Sequence, residues 1–194
     1  MDFTTLARVK TYMETGGFTA DANDPLIPGI IAGVSRRMAE RMDRGVNITE
    51  RTEDFDSHPS DHAIILHAFP VTACEVRHDT QRGFAASTIV DPARYHLRSD
   101  RGVVVWDRYS PTYGKGSMRV VYTGGMAADT TAFIAAYPDL ALACEMQVAY
   151  VLQRRQTPGG TATVAGAGSR TYVGQYTLLD DVAKACDGYK RRVV

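Results

Sequence analysis

His58, Asp61, His62 and His67 are the residues whose types and spacing come nearest to a metal site. His58 and His62 stand four apart, the spacing that puts two imidazoles on one helix face, but Pro59 lies between them and the segment reads as strand and turn. No second helix supplies matching ligands, so loop histidines in a turn are the expectation. Ser60 and Cys74 have histidines nearby, yet no GxSxG or other nucleophile setting surrounds either. Gly159-Gly160 through Gly166-Ala167-Gly168-Ser169 looks like a phosphate loop, but it lacks the Gly-Lys-Ser/Thr ending and follows a helix instead of a strand. It reads as a flexible loop, because the backbone N–H groups have no strand-to-helix turn in which to converge. Asp180-Asp181 and Asp54/Asp56 read as helix-start and strand-surface charges. Cys74, Cys144 and Cys186 are odd in number and widely spaced, with no CxxC, which predicts reduced and mostly buried thiols. None of these groupings supports an enzyme, and no cofactor or metal is expected.

The elements around these residues follow from periodicity. Residues 4–14 carry Leu6, Val9 and Met13 at helical spacing behind Thr4 or Thr5 as a cap, and Gly16-Gly17 ends the run. Asp24-Pro25 then opens a second helix with one apolar stripe: Leu26, Ile27, Ile30, Ile31, Val34, Met38 and Met42. Arg36, Arg37, Glu40, Arg41 and Arg44 fall on the other face, and Gly45 is expected as the C-cap. From Asn47 the period changes to 2, with strands expected at 48–55, 63–66, 70–77, 94–97, 102–106 and 117–123, stopped by Gly124-Gly125. Proline in Tyr137-Pro138-Asp139-Leu140 opens a further helix bearing Leu140, Ala143, Cys144, Gln147, Val148, Val151 and Leu152 on one side. Residues 157–174 are rich in Gly and Thr and cannot build a core. Residues 178–186 have helical spacing, acids first, with Lys190-Arg191-Arg192 after them.

The fold class is therefore α+β: a small helical bundle (residues 1–46 and 126–156), an inserted antiparallel β lobe (47–125), and a C-terminal extension arm of flexible loop plus docking helix (157–194). The chain has 194 residues, with 22 basic and 22 acidic side chains. Neutrality argues against a generic nucleic-acid binder, which needs a basic excess. Residues 1–150 hold 15 basic and 19 acidic side chains, whereas 151–194 hold 7 and 3, a −4 body and a +4 tail. No window approaches the roughly 20 apolar residues of a membrane helix, and the N-terminus lacks the plan of a secretory signal, so an intracellular protein is expected when made.

Four passages resemble the head-tail connector, or adaptor, family of tailed bacteriophages. Leu6-Ala7-Arg8-Val9-Lys10-Thr11-Tyr12 is similar to the family's opening helix, and Asp24-Pro25-Leu26-Ile27-Pro28-Gly29-Ile30-Ile31 through Ser35, with Met38 and Arg41, to its second. Met118-Arg119-Val120-Val121-Tyr122-Thr123-Gly124-Gly125-Met126 is similar to its strand and glycine stop. Tyr137-Pro138-Asp139-Leu140-Ala141-Leu142-Ala143-Cys144, with Tyr150 and Arg154-Arg155, is similar to its proline-led third helix. The β lobe is larger than in compact members.

The resemblance implies a structural virion protein in the neck, assembled in the host cytoplasm. Such a protein forms a homo-oligomeric ring, a dodecamer, under the portal protein. The ring extends the DNA channel and offers a platform to tail or stopper proteins, while DNA passes without sequence-specific binding and no membrane is involved. An acidic body and a basic tail suit the heterologous contacts of a ring. The expected portal-docking residues are Arg154, Arg155, Arg170, Tyr172, Tyr176, Leu178, Leu179, Lys184, Tyr189, Lys190, Arg191 and Arg192; Arg36, Arg37, Arg41 and Arg44 are expected on a ring or channel face. The alternative is a DNA-binding packaging accessory protein using those same helix arginines. A metal-dependent hydrolase centred on His58 and His62 is a third reading.

Overall fold

The structure, a computed structural model, describes residues 1–17, 24–107, 109–156 and 177–191. The chain divides into two compact units, Met1–Met42 with Asp129–Lys190, and Asp43–Ala128 with Arg191–Val194. The first is helical and the second is built on sheets, so the fold is α+β.

In the helical unit, α1 (Leu6–Thr15) starts where the Thr5 side chain accepts from the Arg8 N–H, satisfying one of the amides a helix N-terminus leaves unpaired. Val9 and Met13 are buried. Leu6, expected in the same stripe, is exposed, and Phe3 enters the core instead, its ring 4.4 Å from that of Phe133. Asp24 accepts from the Leu26 N–H at 2.8 Å and leads into α2 (Ile27–Met42), which buries Ile27, Ile31, Val34, Ser35, Met38 and Met42. The expected stripe holds except at its start, since Leu26 is exposed and Ile30 only half-buried. α2 ends through Asp43, whose φ of 50° lies in the left-handed region, and not through Gly45. Gly45 is small for another reason: a Cβ there would sit 2.6 Å from the Ala68 Cβ.

A helix that periodicity missed, α3 (Thr130–Ala136), is capped by Asp129, which accepts from the Ala132 N–H. Its seven residues bury only Phe133, too short a pattern to show a period. α4 (Pro138–Gln156) follows and is the centre of the unit, packing against α1, α2, α3 and α5 (Asp180–Gly188). The sequence shows one apolar side, but Ala141, Glu145 and Ala149 are buried as well. Glu145 is 3% exposed, and its Oε1 accepts from Thr4 Oγ1 at 2.8 Å and Arg8 Nε at 2.6 Å. Gln147, also buried, accepts from the Leu179 N–H at 2.8 Å and donates to the Thr177 carbonyl, capping α5 from outside.

α5 is thus part of the bundle. Val182 and Cys186 are fully buried, and Arg41 donates to both carboxylate oxygens of Asp187 at 2.9 and 2.6 Å. Tyr189 donates to Asp139 and packs its ring edge-on to Tyr137. The expectation of a detached docking helix differs from this packing, because the groups that fix α5 lie on α2 and α4, far away in sequence. Residues 157–176, the rest of the expected arm, lie outside the described residues.

The β unit holds two three-stranded antiparallel sheets. One has the order β1 (Thr49–Ser57), β6 (Gly114–Gly124), β3 (Val71–His78); the other has β2 (Ala63–Ile65), β5 (Val103–Trp106), β4 (Tyr95–Arg98). Thr52 faces Val121 and Val76 faces Val120, a register that points Val76, Met118, Val120 and Tyr122 to one face. Ile64 and Val104 of the second sheet join the same core. Tyr122 anchors it with its hydroxyl, donating to Glu53 and accepting from the Ala68 N–H at 3.0 Å. Burial and the neighbouring Glu53 carboxylate push the Tyr122 phenol well above its ordinary value, so it stays a donor at any working pH. The stop at Gly124-Gly125 is steric: Gly125 has φ 148°, and a Cβ on it would meet the Asn47 carbonyl oxygen at 2.3 Å.

Three measurements check this account. Arg8→Met strands a buried carboxylate and is expected to destabilise the chain by about 3 kcal/mol in chemical denaturation, whereas Arg8→Met with Glu145→Gln loses markedly less. Gly125→Ala forces strain into a packed turn and lowers stability by about 2–4 kcal/mol in the same assay. The Arg41 guanidinium holds the Asp187 carboxyl below its ordinary value of 3.8. A lowered carboxylate pKa stabilises above the unfolded value and loses that contribution as pH falls through the folded one. Amide exchange in α5 is therefore expected to rise steeply below about pH 4 in the native chain, and Asp187→Asn to abolish the acid-dependent part.

Candidate functional site

The histidine grouping of the β unit is a surface turn. His58 N–H donates to Asp61 Oδ2 at 2.9 Å, and the His58 ring nitrogen Nδ1 lies 2.6 Å from Ser60 Oγ while also accepting from the Ser60 N–H. A serine beside an imidazole is a nucleophile–base pair that needs a third group to orient the base, but here Asp61 holds the backbone of His58 instead of its ring, and all three residues are exposed. His67 N–H donates to Glu53, away from that turn. No group of His, Cys, Asp or Glu among the described residues could hold a metal ion. Burial raises the Cys144 thiol to about 12 and those of Cys74 and Cys186 to about 11, and no disulfide forms among them. Thiols held protonated in this way are not nucleophiles at neutral pH. An open cavity of about 360 Å³ in the β unit is lined by His78, Thr88, Val90, Asp91, Arg94 and Tyr109, with Tyr109 Oη 2.6 Å from His78 Nδ1.

The surfaces are more informative than these pockets. Of the expected ring or channel arginines, Arg36 is exposed and pairs with Glu40 one turn on, at 2.9 Å. Arg37 is half-buried, and Arg41 is tied to Asp187. Arg44 is not on that face. α2 stops before it, and its side chain is buried in the β unit, with the guanidinium carbon 3.5 Å from the Phe69 ring centroid and an Nη donating to the Phe69 carbonyl. Cation–π contact and burial explain this arginine, and an outward row of four is not formed.

Among the expected docking residues, Lys184 and Lys190 are exposed, Leu178, Leu179 and Tyr189 are half-buried, and Arg154 is half-buried at the end of α4. Lys184 lies 3.8 Å from Asp181, both strongly exposed. Arg191 is one-quarter exposed, its Nε 3.4 Å from Asp43 Oδ2. Arg170, Tyr172, Tyr176 and Arg192 lie outside the described residues, as does the side chain of Arg155.

Folding also redistributes the charge. The helical unit's residues carry 10 basic and 11 acidic side chains, and the β unit's residues 12 and 11. The −4 and +4 halves of the sequence therefore do not correspond to the two units, each of which is close to neutral.

No family model and no curated protein matches the chain. Solved structures do. Over 99% of its length the chain is similar to 91% of a chain in the neck of an empty gene transfer agent particle computed with C6 symmetry, at 15% identity and a TM-score of 0.62. A chain in the virion of the native gene transfer agent particle gives 16% identity and a TM-score of 0.59 over 99% of this chain and 91% of that one. A chain in the neck of the native particle computed with C12 symmetry gives 14% and 0.56 over 100% and 96%. At such low identity the likeness is one of fold, and end to end this chain has the fold of proteins in gene transfer agent particles, two of them in the neck.

Proposed function

We propose that this chain is a structural protein of the neck of a phage-like particle, working as a head-to-tail adaptor. Copies form a ring under the portal, lengthen the DNA channel and present a platform to tail or stopper proteins. The observation that carries this reading is the end-to-end fold match to chains of particle necks with C6 and C12 symmetry, in a chain whose opening, second and proline-led helices resemble the phage connector family. A twelve-fold ring is the form proposed. The Ser60–His58 contact sits in an exposed turn where Asp61 holds the backbone of His58 and not its ring, and it does not favour an enzymatic reading over this one.

Charge fits passage of DNA more than grip. Each phosphate neutralised by Lys or Arg strengthens binding through counterion release, and a channel wall must let the polymer slide. Of the helix arginines that a DNA-binding accessory would use, Arg41 is paired with Asp187 and Arg44 is buried. Portal docking is assigned to the exposed basic side chains at the C-terminal end of the helical unit, Lys184 and Lys190, together with residues 154–176.

Deleting everything after Gln156 does not test that docking, since it also strips Val182 and Cys186 from the core. Lys184→Glu with Lys190→Glu is the sharper variant, both residues being exposed. Negative-stain imaging of the native chain mixed with a portal ring is expected to show a second coaxial ring, and the double reversal to weaken its attachment at least tenfold while leaving the thermal melt unchanged. A native chain that never adds density to the portal overturns the adaptor reading; a double reversal that docks normally overturns the assigned docking face.

A further inference from the structure

Two strand edges of the β unit have opposite charge and lie at opposite ends of its two layers. In one sheet β1 is an edge strand of nine residues, and Thr49, Glu50, Thr52, Asp54 and Asp56 are its exposed side chains. In the other, β4 is an edge strand whose exposed side chains are His96 and Arg98, with Arg94 just before it; beyond its end Arg101 lies 3.7 Å from Asp100, which offsets its charge. The layers stack with β1 near β2 and β3 near β4: the His67 N–H, just after β2, donates to Glu53 of β1, and Tyr95 of β4 donates to the Cys74 carbonyl of β3. β1 and β4 therefore close the unit at its two ends.

The remaining edges are less available. β3 is covered by the segment before β4, where the Val90 N–H donates to the Val76 carbonyl and Ile89 bridges Arg77. β2 is only three residues long. Among the described residues no strand pairs with the outer edge of β1 or of β4. Asp54 is engaged by Arg119 within its own sheet and Asp56 accepts from the Gly116 N–H, while the side chains of Glu50, His96 and Arg98 make no hydrogen bond or ion pair among the described residues. An open edge strand exposes unsatisfied amides and carbonyls and is a template for another chain unless it is blocked or used.

Resting on the ring reading above, we propose that the acidic β1 edge of one copy pairs with the basic β4 edge of the next, so that the β units close the ring by strand addition. A contact between two different edges of the same chain is heterologous, the type that propagates head to tail and closes when the rotation divides a full turn. Opposite charges facing across a strand pair favour this pairing, whereas two β1 edges meeting would set carboxylates against carboxylates. Glu50 and Arg98 give the pairing its polarity.

Glu50→Arg and Arg98→Glu, singly and together, test it in the full chain, with ring formation followed by negative stain and mass photometry at the concentration at which the native chain forms rings. Each single reversal is expected to lower ring yield at least tenfold, and the double reversal to restore most of it. Independently, Thr52→Cys with His96→Cys treated with a short bismaleimide is expected to give a ladder of covalent oligomers that the native chain, with its three cysteines, does not. Rings that form normally in both single variants, with no ladder, overturn the edge pairing and leave the adaptor reading standing. A native chain that forms no ring, alone or on a portal, overturns both.

Discussion

The helical unit depends on one helix being buried on nearly every side. α4 brings Leu140, Ala141, Ala143, Cys144, Val148, Ala149 and Leu152 out of water, and each large apolar side chain among them contributes roughly 1.5–3 kcal/mol. The exposed side of α4 is a narrow stripe through Asp139, Leu142 and Gln153, and Glu145 and Gln147 lie off it, so both are satisfied by other parts of the chain. Glu145 takes Thr4 and Arg8 from the N-terminal segment; Gln147 takes Thr177 and Leu179 from the start of α5. Buried polar groups with fixed partners are intolerant of displacement, and here they attach both ends of the chain to its central helix.

The β unit has a comparable organising element in β6, the middle strand of its sheet and the longest strand. Alternation along it sends Met118, Val120 and Tyr122 to the core and Arg119 to the outer face, where the guanidinium meets Asp54 at 2.7 Å and lies over the Phe84 ring. The same strand ends at glycines because backbone from residues 47 and 68 passes too close for a Cβ. Sheet register and chain exit are therefore fixed together.

Each unit is close to neutral overall, while its edges and faces differ in local charge. Neither unit carries the basic excess that generic binding to nucleic-acid phosphates draws on.

Much was legible in the sequence because its signals are local. Caps and stops act within a turn of where they stand: Thr5 before α1, Asp24 before α2, Pro138 opening α4 and the Gly124-Gly125 stop are all found where the residue types placed them. The change of period from 3.6 to 2 near Asn47 reports burial along a single element, and it located all six strands to within a few residues, save that β6 starts three residues earlier, at Gly114. The resemblance to phage connectors likewise rested on short ordered passages. Tertiary structure alone decided what depends on partners distant in the chain. Arg44 looked like a helix-face charge until Phe69 covered it; α5 looked like a free arm until Gln147, Arg41 and Asp139 held it; the charge halves of the sequence vanished once the C-terminal helix joined the N-terminal ones. Periodicity states which residues an element can bury, but the partner that buries them is set by the whole fold, because satisfying a buried polar group is a property of two positions at once.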